Sequence, residues 1–148
     1  VIDCTYSTTT SGLYTFAVNM TQPGAASVVV LSKSVIVLPT VASSVSTEIL
    51  GLVTVATAGV TSSFVVRARD QFSNILTSGG STIVTAITTP DRLSGSTILV
   101  SGVFNDRKDG NYSVAYAPTV TGQYRASVRL LGVNVRGSPV TIEVVAGP

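Results

Sequence analysis

The feature that most constrains this chain is an alternation of apolar and polar side chains with a period of two residues. Across residues 64–69, every second residue from Phe64 onward is apolar, whereas Arg67 is one of the intervening residues, whose side chains point to the other face of a strand. The segments 124–129 and 140–144 repeat this pattern, and no segment sustains an apolar stripe of helical period. Strands with one polar face are typical of antiparallel sheets. The sequence therefore predicts an all-β fold.

Turn-forming pairs such as Gly79-Gly80 and Asp109-Gly110 separate the alternating segments. Short strands divided by frequent turns are typical of an immunoglobulin-like antiparallel β-sandwich of about seven strands. The predicted strands are Leu50–Ala58, Ser62–Arg69, Thr82–Thr88, Ile98–Asn105, Tyr112–Ala117, Gln123–Leu130 and Val140–Val145. Within them, Tyr112, Tyr116 and Tyr124 are expected to point inward.

Composition makes several classes of function improbable for the 148-residue chain. It has no histidine, one cysteine and a net charge of +2, so a catalytic triad, a multi-thiolate zinc site and a nucleic-acid-binding stripe lack their usual residues. No apolar run approaches the length that spans a bilayer. We expect a non-enzymatic protein without cofactor, metal, nucleic-acid partner or membrane-spanning segment.

An internal repeat indicates how the chain is organised. Tyr6, Gly12, Tyr14 and Val18 recur without a gap 110 residues later, at Tyr116, Gly122, Tyr124 and Val128. We interpret residues 1–39 as the last three or so strands of a preceding, incomplete immunoglobulin-like repeat. Residues 40–47 would then form a junction, and residues 48–148 a complete repeat. Coincidence in a β-rich chain is the alternative.

A partial sandwich of about three strands buries too little apolar surface to be stable alone, and it leaves unpaired edges. The strands of residues 1–38 would therefore be completed by the same chain, by an upstream domain or by a neighbouring copy. Donation of strands between copies, repeated head to tail, would build a fibril.

From about Glu48 to Gly147 the chain resembles a filamin-type immunoglobulin-like repeat. The resemblance rests on the segments 64–70, 109–118, 122–124 and 137–140, which run Phe-Val-Val-Arg-Ala-Arg-Asp, Asp-Gly-Asn-Tyr-Ser-Val-Ala-Tyr-Ala-Pro, Gly-Gln-Tyr and Gly-Ser-Pro-Val. The chain departs from the family pattern at Ser73, where glycine is usual, and at Val140, where phenylalanine is usual.

The resemblance implies a binding mode. Filamin-type repeats commonly act as spacers in tandem arrays, and some bind a partner strand beside their third and fourth strands. Carried onto this chain, that groove would lie along Thr82–Thr88 and Ile98–Asn105. The predicted partner-strand edge is Ile83, Val84, Thr85, Ala86 and Ile87, which contain no charge, proline or glycine. Such an edge requires a cover, because it otherwise favours aggregation.

Two sequons, Asn19-Met20-Thr21 and Asn111-Tyr112-Ser113, are candidate N-glycosylation sites. Together with a charged fraction of only 11%, they favour an extracellular or cell-surface glycoprotein; a cytoplasmic location is the alternative. The segment 105–110 resembles a calcium loop faintly, but its carboxylates are badly spaced and we expect a hairpin turn. Asp70 and Asp106 are expected to make Asx-type turn hydrogen bonds.

The sequence thus predicts a non-catalytic structural and interaction module of an extracellular, glycosylated filament or surface protein. Its partners would be other copies of itself or neighbouring repeats. The alternatives are a cell-adhesion receptor module, for which Arg67, Arg69, Arg125 and Arg129 would offer outward basic stripes, and a cytosolic actin-crosslinking scaffold with a peptide-binding groove.

Overall fold

The computed structural model describes residues 5–21, 23–90, 97–100 and 102–147. The chain divides into two compact units, Val1–Pro39 and Thr40–Pro148. Every regular element in the described residues is a β-strand, and the predicted all-β class is confirmed.

Unit 1 is an antiparallel hairpin of two strands, β1 (Gly12–Met20) and β2 (Val28–Val37). The register places Tyr14 opposite Val35 and contains an irregularity between Val18 and Asn19. About three strands were predicted here, but residues 5–11 form none, and residues 1–4 lie outside the described residues. In unit 2 the strand that precedes the corresponding connection, Asn111–Tyr116, pairs with one strand on each side. Among the described residues, unit 1 contains no counterpart of those two neighbouring strands.

Unit 2 is a sandwich of two sheets. The first sheet has the order β3 (Glu48–Leu50), β5 (Ser62–Arg67), β9 (Asn111–Tyr116) and β8 (Gly102–Asp106). The second has the order β4 (Val55–Thr57), β12 (Val140–Val145), β10 (Gly122–Leu130), β6 (Ile83–Pro90) and β7 (Thr97–Val100), with β11 (Val133–Asn134) also paired to β10.

Two predicted strands are each divided between the sheets. The predicted strand Leu50–Ala58 is observed as two strands, β3 and β4. They are separate because β3 ends before Gly51, whose φ of 72° is not compatible with a continuing strand. The prediction Ile98–Asn105 corresponds to β7 and β8. The strand β4 also pairs with β12 in parallel, with Ala56 opposite Val144, so the sandwich is not wholly antiparallel.

The core lies between the two sheets and follows the predicted alternation. Tyr112, Tyr116 and Tyr124 are 0%, 2% and 3% exposed, which confirms that they point inward. The apolar residues around them are Phe64, Val66, Ala68, Val114, Ala126, Val128, Ile142 and Val144. Burial of these side chains is the main stabilising contribution to the sandwich.

Residues 40–47, predicted to be a junction, lie against the sandwich within unit 2. The backbone N–H of Thr40 donates to Asp70 Oδ2 at 3.0 Å, and Ala42 forms a bridge with Asp70. Thr47 is fully buried, and its hydroxyl accepts a hydrogen bond from the N–H of Arg69 at 3.3 Å. This segment therefore belongs to the fold of unit 2.

Candidate partner-binding edge

The predicted edge segment lies in β6, which is only partly an edge. On one side, β10 pairs with β6 from Ile83 to Thr88. On the other side, β7 pairs with β6 only from Ile87 to Pro90. Among the described residues, no strand pairs with 83–86 on that second side. The open edge is therefore Ile83–Ala86, and Ile87 is already paired on both sides.

The backbone groups that face this open side can be assigned from one hydrogen bond. The N–H of Leu131 donates to the carbonyl of Thr82 at 3.0 Å, so residue 82 directs its backbone groups toward β10. In an antiparallel ladder these groups alternate direction at each residue. Those of Val84 and Ala86 hence face β10, while those of Ile83 and Thr85 face the open side. Two N–H and two C=O groups are available there to an added strand.

The side chains of β6 alternate between the core and the outer face of the sheet. Ile83 and Ile87 are 9% and 4% exposed, whereas Val84 is 57% exposed. On the outer face, Val84 lies opposite Arg129, and Ala86 opposite Ser127. These residues line a groove of about 380 Å³ together with Thr88, Arg125, Asn134 and Pro139.

The four arginines predicted as outward stripes fall on two different sheets and differ in charge environment. Arg67 and Arg69 share the carboxylate of Glu48, at 3.9 Å and 2.8 Å. Arg129 Nε donates to Asn134 Oδ1 at 3.3 Å. Neither Arg125 nor Arg129 has a carboxylate within ion-pair distance in the part of the chain that the structure describes. The groove beside the open edge thus carries a net positive charge.

The two sequons have different surroundings. Asn19 is an exposed residue of β1 next to the irregularity at Val18. Asn111 is half-buried at the start of β9, and its Oδ1 accepts a hydrogen bond from Arg67 Nε at 3.3 Å. An oligosaccharide bonds to Nδ2 and leaves Oδ1 able to accept, so this hydrogen bond does not exclude glycosylation. The half-buried position of Asn111 leaves less space for a sugar than the exposed position of Asn19.

The segment 105–110 is a turn whose carboxylates are occupied by local donors. Asp106 accepts from the N–H of Lys108 at 2.8 Å and from Lys108 Nζ at 2.9 Å, and these hydrogen bonds lower the pKa of Asp106. Asp109 Oδ1 accepts from the N–H of Asn111 at 2.9 Å. The prediction of a turn is confirmed, and no cluster of three potential metal ligands occurs in the described ranges.

Asp70 makes the Asx-type turn predicted for it and also a contact that sequence reasoning missed. Its Oδ1 accepts from the N–H groups of Phe72 and Asn74, each at 2.9 Å. Its Oδ2 accepts from Thr40, 30 residues away. Burial of the carboxyl opposes ionisation, but the hydrogen bonds from Asn74, Thr40 and Phe72 outweigh it and lower the pKa of Asp70 from 3.8 to about 2.

Two packed sheets, joined by turns whose carboxylates accept local hydrogen bonds, define an immunoglobulin-like sandwich repeat. The Filamin/ABP280 repeat model matches residues 39–141. The chain belongs to the Filamin/ABP280 repeat family, and the resemblance found in the sequence is confirmed. Repeats of this family are structural and interaction modules.

The chain is similar to two curated proteins over part of its length. It is 31% identical over 84 residues to the human E3 ubiquitin-protein ligase TRIM45, covering 57% of this chain and 14% of that protein. It is 30% identical over 82 residues to the Bos taurus TRIM45, covering 55% of this chain and 14% of that protein. The chain thus spans about one seventh of the length of these relatives.

Solved structures share the fold. The Lin-41 filamin domain has a TM-score of 0.61 at 23% identity, covering 72% of this chain and 98% of that one. The Escherichia coli adhesin FdeC has a TM-score of 0.57 at 19% identity, with 79% and 36% covered. Invasin, a bacterial integrin-binding protein, has a TM-score of 0.56 at 19% identity, with 93% and 25% covered.

None of the described residues belongs to a helix with the length and apolar character needed to cross a membrane.

Proposed function

We propose that unit 2 is a non-catalytic module that associates with protein partners by adding a β-strand to the open edge Ile83–Ala86. The observation that carries this proposal is the unpaired side of β6 described above. An extended segment placed there would bond the outward N–H and C=O groups of Ile83 and Thr85, as in β-augmentation. Such backbone bonds provide affinity with little sequence requirement.

Selectivity would come from the side chains beside the edge. A bound strand would place alternate side chains next to Val84 on the outer face, within reach of the groove that contains Arg125 and Arg129. Because these two cations have no carboxylate partner among the described residues, a strand with an acidic side chain in that position would be favoured. Tandem copies or neighbouring repeats are the partners that the sequence favours.

We further propose that the parent protein is an extracellular filament or surface glycoprotein. Support comes from the exposed sequon at Asn19 and from the low fraction of charged residues, 11%. The structures with this fold include FdeC, an Escherichia coli adhesin, and invasin, a bacterial integrin-binding protein, which agrees with this location.

A pair of matched substitutions tests the edge. Val84 and Val55 are both 57% exposed and lie in the same sheet, on β6 and β4. Val84→Lys would place a charge beside the open edge, whereas Val55→Lys places it at the opposite end of the sheet. We expect self-association in sedimentation velocity to weaken at least about tenfold for Val84→Lys, roughly the cost of one buried charge at an interface. Equal association of the two variants would contradict the proposal.

A further inference from the structure

The hairpin of unit 1 has the same local geometry as the last strands of unit 2. The strands β1 and β10 are both nine residues long and begin 110 residues apart, at Gly12 and Gly122. Tyr14 donates its hydroxyl hydrogen bond to the carbonyl of Thr10 at 2.9 Å, and Tyr124 donates to that of Val120 at 2.7 Å. In each case the acceptor lies four residues before the tyrosine. The sequence repeat is therefore also a structural repeat.

The pairing of the second strand agrees with this equivalence. Tyr14 lies opposite Val35, as Tyr124 lies opposite Ile142. Gly12 likewise lies opposite Val37, as Gly122 lies opposite Val144. The strand β2 is thus the counterpart of β12, and the hairpin corresponds to the final two long strands of a filamin-type sandwich.

One face of the hairpin carries Tyr14, Phe16 and Val18 of β1 with Leu31, Lys33, Val35 and Val37 of β2, and we call it the hairpin face. It is apolar except for Lys33, which lies opposite Phe16. Val18 is 45% exposed, although its counterpart Val128 is fully buried. Tyr14, Phe16, Val35 and Val37 are half-buried, whereas Leu31 and Lys33 are exposed. In unit 2 the same positions are covered because β6 pairs with β10 and the sheet containing β5 and β9 packs across them.

The connection ahead of β1 has the same length as the connection ahead of β10. Five residues separate Tyr6 from Gly12, and five separate Tyr116 from Gly122. In unit 2 those five residues carry the chain from β9 in one sheet to β10 in the other. The ring of Tyr6 packs on Phe16 of the hairpin face, with centroids 4.1 Å apart, so the chain before Gly12 already crosses this face.

We propose that the hairpin face is covered by the N-terminal strands of a second filamin-type sandwich, supplied by the same polypeptide ahead of Tyr6. The covering segment supplies the earlier strands of that sandwich, with the counterpart of β6 paired to the free side of β1. The Filamin/ABP280 match begins at residue 39, so it assigns no repeat to the hairpin. This inference rests on the internal repeat and not on the β6 edge of unit 2, so the two proposals fail separately.

The test compares the 148-residue chain with an extended chain in which a second copy of residues 40–116 directly precedes Ser7. This junction preserves the five-residue connection. In hydrogen exchange followed by NMR, the amides of β1 in the 148-residue chain should exchange at least about a hundredfold faster than those of β10. In the extended chain, exchange within β1 should slow at least about tenfold while the protein remains a monomer by sedimentation equilibrium.

Variants keep the test decisive. Phe16 occupies the position that the smaller Ala126 occupies in unit 2. A core built from a copy of unit 2 could be too small for the Phe16 ring, and Phe16→Ala in the extended chain removes this risk of overpacking. Val18→Lys on the hairpin face should abolish the slowing, whereas Ala17→Lys on the opposite, exposed face should preserve it.

Three results would overturn the proposal: protection of β1 in the monomeric 148-residue chain equal to that of β10, protection that develops only with dimer formation, or no slowing in either the extended chain or its Phe16→Ala form.

Discussion

Tyr124 and Val120 are joined by a 2.7 Å hydrogen bond in which the tyrosine hydroxyl donates to the backbone carbonyl four residues earlier. The ring of Tyr124 is only 3% exposed, so the bond fixes the entry of the chain into β10 against the core. Tyr14 and Thr10 make the same contact in the hairpin at 2.9 Å. The tyrosine therefore has a local structural role in both copies of the repeat.

Removal of the Tyr124 hydroxyl should destabilise unit 2. Tyr124→Phe leaves the carbonyl of Val120 without this donor, and we expect the free energy of unfolding in urea to fall by about 1 kcal/mol. The matched control is Tyr14→Phe, which deletes the equivalent bond in unit 1. It should leave the unfolding transition of unit 2 unchanged. An unfolding free energy of Tyr124→Phe equal to that of the wild type would contradict this role of the Tyr124 hydroxyl.

Asp70 should make stability depend on pH in the acidic range. Its pKa is about 2 in the folded protein against 3.8 for the free side chain. Because the folded state lowers this pKa, the stabilisation is fully present above about pH 4 and is lost as the pH falls toward 2. The difference corresponds to roughly 2 kcal/mol, measurable as the change in unfolding free energy between pH 5 and pH 2.

The substitution Asp70→Asn isolates this contribution. It should lower stability at pH 7 by roughly 3 kcal/mol, because a buried acceptor of several N–H groups becomes partly a donor. The change in stability between pH 5 and pH 2 should shrink by about the 2 kcal/mol assigned to Asp70. Asp109→Asn is the comparison: the hydrogen bond from the N–H of Asn111 also lowers the pKa of Asp109, but its turn is exposed, so its effect on the pH profile should be smaller than that of Asp70→Asn. A pH profile that is the same in Asp70→Asn and the wild type would contradict the assignment.

Gly110 should not tolerate a side chain. Its φ is 83°, and a Cβ there would overlap the carbonyl oxygen of Leu76. Gly59 has a similar φ of 79° but no atom within 4 Å of its would-be Cβ. We expect Gly59→Ala to cost about 1 kcal/mol from backbone strain alone, and Gly110→Ala to cost at least about 3 kcal/mol. Equal melting temperatures for the two variants would refute the close approach of Leu76.

Glycosylation should distinguish the two sequons. After secretion from a eukaryotic cell, we expect a glycan on the exposed Asn19, and none on Asn111, which is half-buried in β9 and paired with β5. Mass spectrometry of the intact protein should show that Asn19→Gln removes the added mass and that Asn111→Gln does not. Occupancy of Asn111 alone, or of neither residue, would count against the proposed surface role of Asn19.

The sequence predicted those parts of the fold that depend on local pattern. Alternation identified the burial of Phe64, Tyr112 and Tyr124, and the Asp109-Gly110 pair identified a turn. The sequence could not predict that Ile98–Asn105 divides between two sheets. The alternation of apolar and polar residues in a strand is the same in either sheet of the sandwich. The bond from Thr40 to Asp70 was equally hidden, since it depends on a contact between residues far apart in the chain.

The sequence predicted the location of the candidate edge, and the strand pairing in the structure determines which of its residues are unpaired. The resemblance to filamin-type repeats indicated a partner-strand edge at residues 83–87, but only the register with β7 shows that Ile87 is covered. The direction of each N–H follows from the bond between Leu131 and Thr82, which no sequence pattern reveals. Only the structure therefore shows that the backbone N–H and C=O groups of Ile83 and Thr85 face the open side of β6.

Residue-resolved hydrogen exchange at the open edge tests the central claim most directly. At low protein concentration, the amides of Val84 and Ala86 should exchange slowly because they bond to β10, and that of Thr85 should exchange at least about tenfold faster. When the protein associates at high concentration, the amide of Thr85 should slow to the rate of its neighbours. Association that leaves the exchange rate of Thr85 unchanged would contradict strand addition at β6.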